Sequence, residues 1–258
     1  MSLNPPITDW NNLRVWIIGA STGIGAALTK ALLAKNARVA VSSRKVEILQ
    51  TLVAGHKKNA LLLPLDLTQI EQIRAAQNTL VTHWSGYDLV LFVAGDHKPM
   101  RAWDFKLDDA RHLVEINLMG IVNGLSIAIP QMLSQSKGHI AIVASVGGYS
   151  GLPQALIYGA TKAACINMAE TMYMDLQPKN IAVTLINPGF VKTPLTDKNT
   201  FDMPALVSAE AAAAAIIAGL EKGQFEIHFP KRFTLWLKLL RMLPYRLYFY
   251  LIHKFTGL

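Results

Sequence analysis

Short apolar runs alternate along the chain with longer stretches in which apolar residues recur at helical spacing. The short runs are hydrophobic at nearly every position, a pattern typical of parallel strands that are covered on both faces. We expect strands at 13–18, 37–42, 60–65, 88–93, 139–145, 181–187 and 225–229. We expect helices at 23–34, 45–54, 68–83, 107–135, 153–177 and 208–221. This alternation predicts an α/β fold with a doubly wound, seven-stranded parallel sheet and helices on both faces.

The composition changes abruptly at Lys231. Residues 231–258 carry six basic residues and no acid, whereas residues 1–230 carry 19 basic and 17 acidic residues. We therefore expect one domain over 1–230 and a basic, aromatic-rich, amphipathic helical extension over 231–258, which Pro244 divides into two helices. Interspersed Lys, Arg, Trp and Tyr residues are typical of a helix that lies in a membrane surface. The alternative is a helical hairpin that packs on the body or on a second subunit and roofs a cleft.

Composition and charge exclude several classes of protein. With 52% hydrophobic and 16% charged residues, the chain is too apolar to be disordered. The single cysteine, Cys165, has no partner for an internal disulfide. This favours a cytoplasmic location, with peripheral contact to the inner membrane surface if the extension binds lipid. The histidines are scattered, so we expect no metal site. The charge of 1–230 is nearly balanced, so we expect no nucleic-acid partner. We expect no transmembrane helix either, because the sequence has no uninterrupted apolar run of about 18 residues.

A glycine-rich turn follows the first predicted strand and opens the first predicted helix. It reads Gly19-Ala-Ser-Thr-Gly23-Ile-Gly25. Glycines let the backbone turn sharply and approach a pyrophosphate, and the helix N-terminus offers free N–H groups to it. The turn therefore predicts a dinucleotide site, and the alternative is a tight turn that binds no ligand.

The end of the second predicted strand indicates which dinucleotide binds. It carries Ser43 and Arg44 and no carboxylate. A carboxylate would hold the ribose of NAD, whereas an arginine accommodates the 2′-phosphate of NADP. We expect NADP(H), with NAD(H) as the alternative if Arg44 is only a solvated residue at a helix start. Asp66, which ends the third predicted strand, either accepts a hydrogen bond from an adenine amine or caps a helix that begins near Thr68.

Three residues with complementary chemistry follow one another after the fifth predicted strand. Ser145 ends that strand, and Tyr158 and Lys162 are four residues apart on the next predicted helix, so they share one face. A lysine ammonium stabilises a nearby phenolate, which lets tyrosine exchange a proton with a carbinol or carbonyl oxygen near neutral pH. A serine hydroxyl beside the tyrosine stabilises the same oxygen as charge develops on it.

Taken in order, these motifs resemble the short-chain dehydrogenase/reductase family over about residues 12–230. The resemblance rests on Gly19-Ala-Ser-Thr-Gly23-Ile-Gly25, Asp66, Ala94-Gly95, Asn117, Ser145, Tyr158-x₃-Lys162 and Asn187-Pro188-Gly189-Phe-Val-Lys-Thr193. It implies a Rossmann-type fold in which Tyr158 is the general acid/base, Ser145 positions the substrate oxygen and Lys162 binds the nicotinamide ribose. It implies that Asn117, the fourth catalytic residue, supports a water-linked proton relay through a kinked helix. It also implies a homo-oligomer, either a dimer or a tetramer.

The resemblance further implies where cofactor and substrate bind. The expected cofactor-binding residues are Gly19, Ser21, Thr22, Gly23, Ile24, Gly25, Ser43, Arg44, Asp66, Leu67, Ala94, Gly95, Tyr158, Lys162, Pro188, Gly189, Val191 and Thr193. The expected substrate walls are Val146, Leu152, Gln154, Phe190 and Leu195. The loop from Pro194 to Ser208, which closes over the substrate in that family, is short here, and this predicts a fairly open pocket.

Two positions depart from the family pattern. Phe92-Val-Ala-Gly95 stands where the family has Asn-Asn-Ala-Gly, and we expect local repacking there. Ile18 stands where the family has threonine, which removes one hydrogen bond between loops, at a cost of about 1 kcal/mol at most. Since no catalytic position is lost, we expect an active enzyme.

The expected function is hydride transfer between NADP(H) and a secondary alcohol or ketone, as in a carbonyl reductase. We expect a lipophilic substrate, because the extension adds apolar surface near the cleft. One alternative is a 3-oxoacyl-type reductase of fatty acyl metabolism, which would need carrier-linked substrates. Another is a non-catalytic, NADP-binding, membrane-associated protein, whose function would survive Tyr158→Phe.

Overall fold

The strands of the computed structural model are parallel throughout. They are β1 (Arg14–Ile18), β2 (Arg38–Ser42), β3 (Ala60–Leu62), β4 (Leu89–Phe92), β5 (Gly138–Val143), β6 (Ile181–Pro188) and β7 (Glu226–Phe229). The structure describes residues 2–198 and 203–256, and within them these seven strands form one sheet in the order β3-β2-β1-β4-β5-β6-β7. The predicted seven-stranded parallel sheet is confirmed.

Helices cover both faces of the sheet. They are α1 (Gly23–Ala34), α2 (Val46–Leu52), α3 (Ile70–Trp84), α4 (Leu107–Val114), α5 (Gly120–Gln135), α6 (Leu156–Leu176), α7 (Ala209–Glu221), α8 (Lys231–Arg241) and α9 (Tyr245–Thr256). Alternate strand residues point to opposite faces, so Trp16 belongs to the buried cluster under α3, α5 and α6. Its neighbour Val15 belongs to the cluster under α1, α2 and α7. The continuous hydrophobicity of the strands therefore supplies two cores.

The helix predicted over 107–135 is interrupted by a π-helical turn, Glu115–Met119, between α4 and α5. By length and composition the whole run Leu107–Gln135 could cross a membrane. However, Ile121, Leu125 and Ala128 are buried in the core under α5. We therefore assign the run to the core of the sheet domain.

Several predicted boundaries are wrong by two or three residues. β5 ends at Val143 rather than at Ser145, and α3 begins at Ile70 rather than at 68. β3 ends at Leu62, and beyond it the N–H groups of Leu63 and Leu65 still donate to the carbonyls of Val41 and Ser43 beside β2. α2 ends at Leu52, shortly before Gly55, whose φ is 85°. α6 begins at Leu156, because Gln154 has a φ of 62° that no right-handed helix accommodates.

Phe92, at the end of β4, shows how the chain repacks where it departs from the family pattern. Its side chain is fully buried. A Cβ atom added to Gly124 on α5 would lie 2.2 Å from Phe92 Cε1. The glycine therefore leaves the space that the phenylalanine ring fills.

The extension forms α8 and α9 on either side of Pro244, as predicted, and packs on the body. Leu240, Tyr248 and Ile252 are buried in a small cluster that also includes Leu152 of the body. The Tyr248 hydroxyl donates a hydrogen bond of 2.7 Å to the carbonyl of Gly151. The extension therefore packs on the body as a helical hairpin, with the side that carries these residues facing the body.

Candidate active site

A cleft of about 470 Å³ lies at the carboxyl edge of the sheet. Residues from the loops after β1, β2, β3, β4, β5 and β6 line it, because the carboxyl ends of parallel strands meet along one edge. The cleft therefore has the position that the motif order predicts.

The glycine turn after β1 depends on the absence of side chains. Gly19 has a φ of 102°, and a Cβ added to it would lie 2.3 Å from the backbone nitrogen of Ala94. Gly23 has a φ of 53° at the first residue of α1. A Cβ on Gly25 would lie 2.1 Å from the carbonyl oxygen of Gly19, so Gly25 lets α1 approach the turn. The backbone is thereby left open along the cleft beside a helix N-terminus, an arrangement that suits a pyrophosphate.

Arg44 and Asp66 lie beside each other at the end of the cleft formed by the β2 and β3 loops. The Arg44 guanidinium is 3.8 Å from the Asp66 carboxylate and is largely exposed. Asp66 Oδ1 also accepts hydrogen bonds from the backbone N–H and the hydroxyl of Thr68, at 3.0 and 2.9 Å. The alternative that Asp66 caps the next helix is wrong, because the cap residue of α3 is Gln69. Arg44 is positioned to receive an anionic group at this end of the cleft.

Tyr158 and Lys162 meet Ser145 on the opposite side of the cleft. Ser145 Oγ accepts a hydrogen bond of 3.1 Å from the backbone N–H of Gly147. A Cβ on Gly147 would lie 3.5 Å from Ser145 Oγ and 3.6 Å from Tyr158 Cε1, so both side chains flank that glycine. Lys162 Nζ donates to the carbonyl of Val143 at 3.0 Å and lies 5.8 Å from the centre of the Tyr158 ring. A hydroxyl, a phenol and an ammonium are thus held together at one position.

Asn117 lies in the π-helical turn and is fully buried. Its Oδ1 accepts from the backbone N–H of Asp96 at 2.7 Å, and its Nδ2 donates to the Asp96 carbonyl at 2.9 Å. A Cβ on Gly95 would lie 3.2 Å from Asn117 Oδ1 and 3.5 Å from Lys162 Nζ. Asn117 therefore holds the loop after β4 next to the lysine rather than facing the cleft directly.

The sequence analysis missed Asp96 and His97, which follow Gly95 at the carboxyl end of β4. Asp96 Oδ2 lies 3.0 Å from His112 Nε2 of α4, and Asp96 lines the cleft. The His97 ring packs edge-on against the Tyr158 ring, with centroids 4.6 Å apart. Their position after a glycine at a strand end was the available signal, because side chains there face the ligand crevice.

Most of the expected cofactor-binding residues line the cleft. The residues found there are Gly19, Ser21, Thr22, Gly23, Ile24, Ser43, Arg44, Asp66, Leu67, Ala94, Gly95, Tyr158, Lys162, Pro188, Gly189, Val191 and Thr193. Gly25 instead lies behind the turn, against Gly19. The set fits a dinucleotide, because open backbone and a helix N-terminus stand between an exposed arginine and the Tyr158–Lys162 pair.

The expected substrate walls are spread more widely. Leu195 lines the cleft, and Val146 is buried in the core. The Gln154 carbonyl accepts a hydrogen bond of 2.8 Å from the Met100 N–H. Phe190 packs against Phe233 of α8, with ring centroids 5.7 Å apart, and Leu152 contacts the buried cluster of the extension. Part of the expected substrate loop, 199–202, lies outside the described residues.

A polar cluster joins α8 to the substrate side of the body. Lys238 donates to Glu226 Oε2, while the Tyr149 hydroxyl and Asn187 Nδ2 donate to Glu226 Oε1 at 2.6 and 2.8 Å. Burial acts to raise the pKa of Glu226, but these hydrogen bonds outweigh it and lower the pKa. Burial and the contact with Glu226 raise the pKa of Tyr149. The carboxylate is therefore ionised and ties α8 to the segment that follows Ser145.

The sequence as a whole is similar to known oxidoreductases. A sequence profile described as short chain dehydrogenase matches residues 14–203. An uncharacterized oxidoreductase of Myxococcus xanthus is 30% identical over 231 residues, covering 88% of this chain and 91% of that protein. An uncharacterized oxidoreductase of Staphylococcus aureus is 30% identical over 208 residues, covering 78% of this chain and 88% of that protein.

Solved structures with the same fold include a short chain dehydrogenase from Burkholderia cenocepacia in complex with NADP. It has a TM-score of 0.76 and 27% identity, and covers 86% of this chain and 90% of that chain. A short-chain dehydrogenase from Streptomyces avermitilis has a TM-score of 0.80 and 23% identity, and covers 88% of this chain and 92% of that chain. A short chain dehydrogenase/reductase from Burkholderia phymatum, solved with NAD, has a TM-score of 0.80 and 21% identity, covering 88% of this chain and 92% of that chain.

Proposed function

This chain belongs to the short chain dehydrogenase family, whose members are oxidoreductases, and from that premise we propose its reaction. We propose that it transfers hydride between NADP(H) and a secondary alcohol or ketone of lipophilic character. The observation that carries the proposal is the meeting of Ser145, Tyr158 and Lys162 at one side of a glycine-lined cleft.

The choice of NADP(H) over NAD(H) rests on Arg44. Its guanidinium is largely exposed at the edge of the cleft, where a second phosphate would meet it. The relative from Burkholderia cenocepacia was solved with NADP, which agrees with this choice. The nearby Asp66 carboxylate neutralises part of the arginine charge, so we expect NADP(H) preference rather than exclusion of NAD(H).

The proposed roles of the catalytic side chains follow from their contacts. The bound nicotinamide would supply or accept the hydride. Tyr158 would give a proton to the substrate oxygen in reduction and take it back in oxidation, and Ser145 would donate a hydrogen bond to the same oxygen. Lys162, held by the Val143 carbonyl, would stabilise the phenolate and bind the ribose. Asn117 would keep the β4 loop in place beside Lys162.

The lipophilic character of the substrate is supported by apolar side chains of the extension next to the cleft. Gly189 lines the cleft and lies against Phe233 of α8, which packs on Phe190, and Leu152 joins the apolar cluster of the extension. We also propose that the protein forms a homo-oligomer through α5 and α6, because Val122, Leu133 and Met174 leave exposed apolar surface on these helices. We also propose a cytoplasmic location, because the single cysteine, Cys165, is a buried free thiol.

Turnover of a ketone panel with NADPH tests the reaction. Wild type should reduce apolar ketones, and Tyr158→Phe should lower kcat by at least a hundredfold, because proton transfer is lost, while NADPH still binds. Acyl-carrier-linked 3-oxoacyl substrates belong in the same panel, since exclusive use of them would select the acyl reductase alternative. Equal activity of Tyr158→Phe and wild type would refute the catalytic assignment.

Cofactor choice needs its own titration, with NADPH and NADH followed by fluorescence. Arg44→Ala should weaken NADPH binding by about tenfold or more, since a charge-assisted hydrogen bond is worth about 1.5–3 kcal/mol. NADH binding should change little. Lys58→Ala, an exposed cation away from the cleft, is the control. If NADPH and NADH bind equally to wild type and to Arg44→Ala, the cofactor assignment is wrong.

A further inference from the structure

The two helices of the extension, called here the hairpin (231–256), have an inner and an outer side. The inner side is attached to the body by Phe233, Leu237, Leu240, Tyr248 and Ile252. Thr234 is buried as well and contacts His228 Nδ1 through its hydroxyl at 2.6 Å. These contacts fix the orientation of the hairpin, and they leave the opposite sides of both helices facing outward.

The outer side of the hairpin is unusually apolar for an exposed surface. Its exposed large hydrophobic side chains are Leu235, Trp236, Leu239, Met242, Tyr245, Leu247, Phe249, Tyr250 and Phe255. Met242 is 80% exposed and Tyr245 is 78% exposed. On α8 the exposed leucines and methionine recur every three or four residues, so they form one stripe along the helix. A continuous apolar patch of this kind marks an interaction surface.

The charge of the hairpin has a single sign. Lys231, Arg232, Arg241, Arg246 and Lys254 are all exposed, and residues 231–258 contain no acid. Lys238, the sixth cation, is directed inward to Glu226. Exposed apolar and aromatic residues flanked by cations match an anionic lipid surface, whose headgroups attract the cations while the apolar side chains enter the acyl boundary. A second copy docked by the same face would place cations against cations with no acid to pair them.

A second exposed aromatic element borders the segment that the hairpin covers. Trp103, in the loop after β4, is 81% exposed, and the Arg101 guanidinium lies 5.2 Å from its ring centre. Met100 of the same loop donates to the carbonyl of Gln154, while Tyr248 of the hairpin donates to the carbonyl of Gly151. The Trp103 loop and the hairpin therefore hold the same short segment, 151–154, at its two ends.

We propose that the outer side of the hairpin docks on an anionic lipid bilayer, so that the substrate side of the cleft adjoins the membrane. The inner contacts hold the hairpin in a fixed orientation for docking, and the outer cations and apolar stripe bind the lipid. A lipophilic substrate would then reach the cleft from the bilayer. The docking itself depends on no cofactor or substrate, so its test is independent of the proposed reaction.

Vesicle flotation with the full chain tests the charge requirement. The protein should float with vesicles of phosphatidylglycerol and phosphatidylcholine and much less with phosphatidylcholine alone, and rising salt should release it. Arg232→Gln/Arg246→Gln should weaken binding by about fivefold for each cation removed, or about 25-fold for the pair. Lys57→Gln/Lys58→Gln, which removes two exposed cations from the body, should bind as wild type. Equal binding to neutral and anionic vesicles would overturn the proposal.

The apolar stripe is tested with Leu235→Gln/Leu239→Gln, since both leucines are at least half exposed. This variant should bind anionic vesicles at least about tenfold more weakly than wild type, because apolar contact with the acyl boundary is lost. Ile48→Gln, at an exposed apolar position on α2, is the matched control, and thermal unfolding should confirm that both variants fold. If the leucine variant changes only the oligomeric state and leaves vesicle binding intact, the face binds a second copy and the proposal fails.

Discussion

Replacing Lys238 with methionine should weaken the attachment of the hairpin to the body. Lys238 donates to Glu226 and its ammonium lies 5.7 Å from the centre of the Tyr149 ring. Methionine keeps much of the apolar length of lysine, so the change removes mainly the charge. The Glu226 carboxylate would then keep its hydrogen bonds from Tyr149 and Asn187 but lose its only close cation among the described ion pairs.

The size of the effect follows from the exposure of the pair. The Lys238 and Glu226 side chains are 33% and 23% exposed, so solvent screens the pair only in part. A charge-assisted hydrogen bond contributes about 1.5–3 kcal/mol, and the contact over Tyr149 adds about 0.5–1 kcal/mol. We expect Lys238→Met to lower the free energy of unfolding by about 2–3 kcal/mol. For a chain of this size that corresponds to a fall in Tm of about 4–12 °C.

Calorimetric unfolding at several pH values checks this expectation. Because the pKa of Glu226 is lowered in the folded state, its pairing stabilises the protein above the unfolded value of 4.5 and is lost as the pH falls through the folded pKa. The difference between wild type and Lys238→Met should therefore be largest near neutral pH and shrink in acid. Lys254→Met, on the exposed side of α9, should leave Tm unchanged. A Tm difference that is absent, or that stays constant with pH, would refute the reasoning.

Three further changes have expected outcomes. His97→Ala should lower kcat by about two- to tenfold, because the edge-on contact that orients the Tyr158 ring is lost, whereas His97→Phe should retain most of kcat in the same ketone assay. Burial lowers the pKa of His139 to about 4, so the unfolded chain binds a proton before the folded protein does as the pH falls below 6.5. The free energy of unfolding should therefore fall by about 3 kcal/mol between pH 6.5 and pH 4. In urea titrations at several pH values, His139→Gln should reduce this dependence of stability on pH. Gly124→Ala should destabilise the protein by about 1–3 kcal/mol in urea unfolding, because the new Cβ meets Phe92, and a control Gly151→Ala, where a Cβ meets nothing within 4 Å, should not.

The sheet and the position of its cleft could be predicted because they depend on patterns that act locally. Strands that are apolar throughout have to be covered on both faces, and most of the motifs follow strand ends. The glycine turn, Arg44, Ser145 and the Tyr158–Lys162 pair therefore lie around the cleft.

Features that depend on distant partners could not be predicted in the same way. The π-helical turn at Glu115–Met119 leaves the apolar spacing of its helix unbroken, so the pattern shows one helix there. Phe190 was expected to wall the substrate, but its position is set by Phe233, which comes from the extension. The inner and outer sides of the hairpin likewise depend on contacts with Gly151 and Leu152 of the body.

The fit of Phe92 against Gly124 has a consequence for the history of the sequence. The two positions are on different elements and exchange no hydrogen bond, yet the ring occupies the space where any side chain at 124 would lie. An ancestor with a smaller or polar residue at 92 would have placed no such restriction on 124. Among related chains, an aromatic residue at the first position should therefore coincide with glycine at the second, and chains with asparagine at the first should tolerate alanine or serine at the second. Phe92→Asn alone would leave a void beside α5, and a side chain at 124 can fill that space only when the ring at 92 is absent.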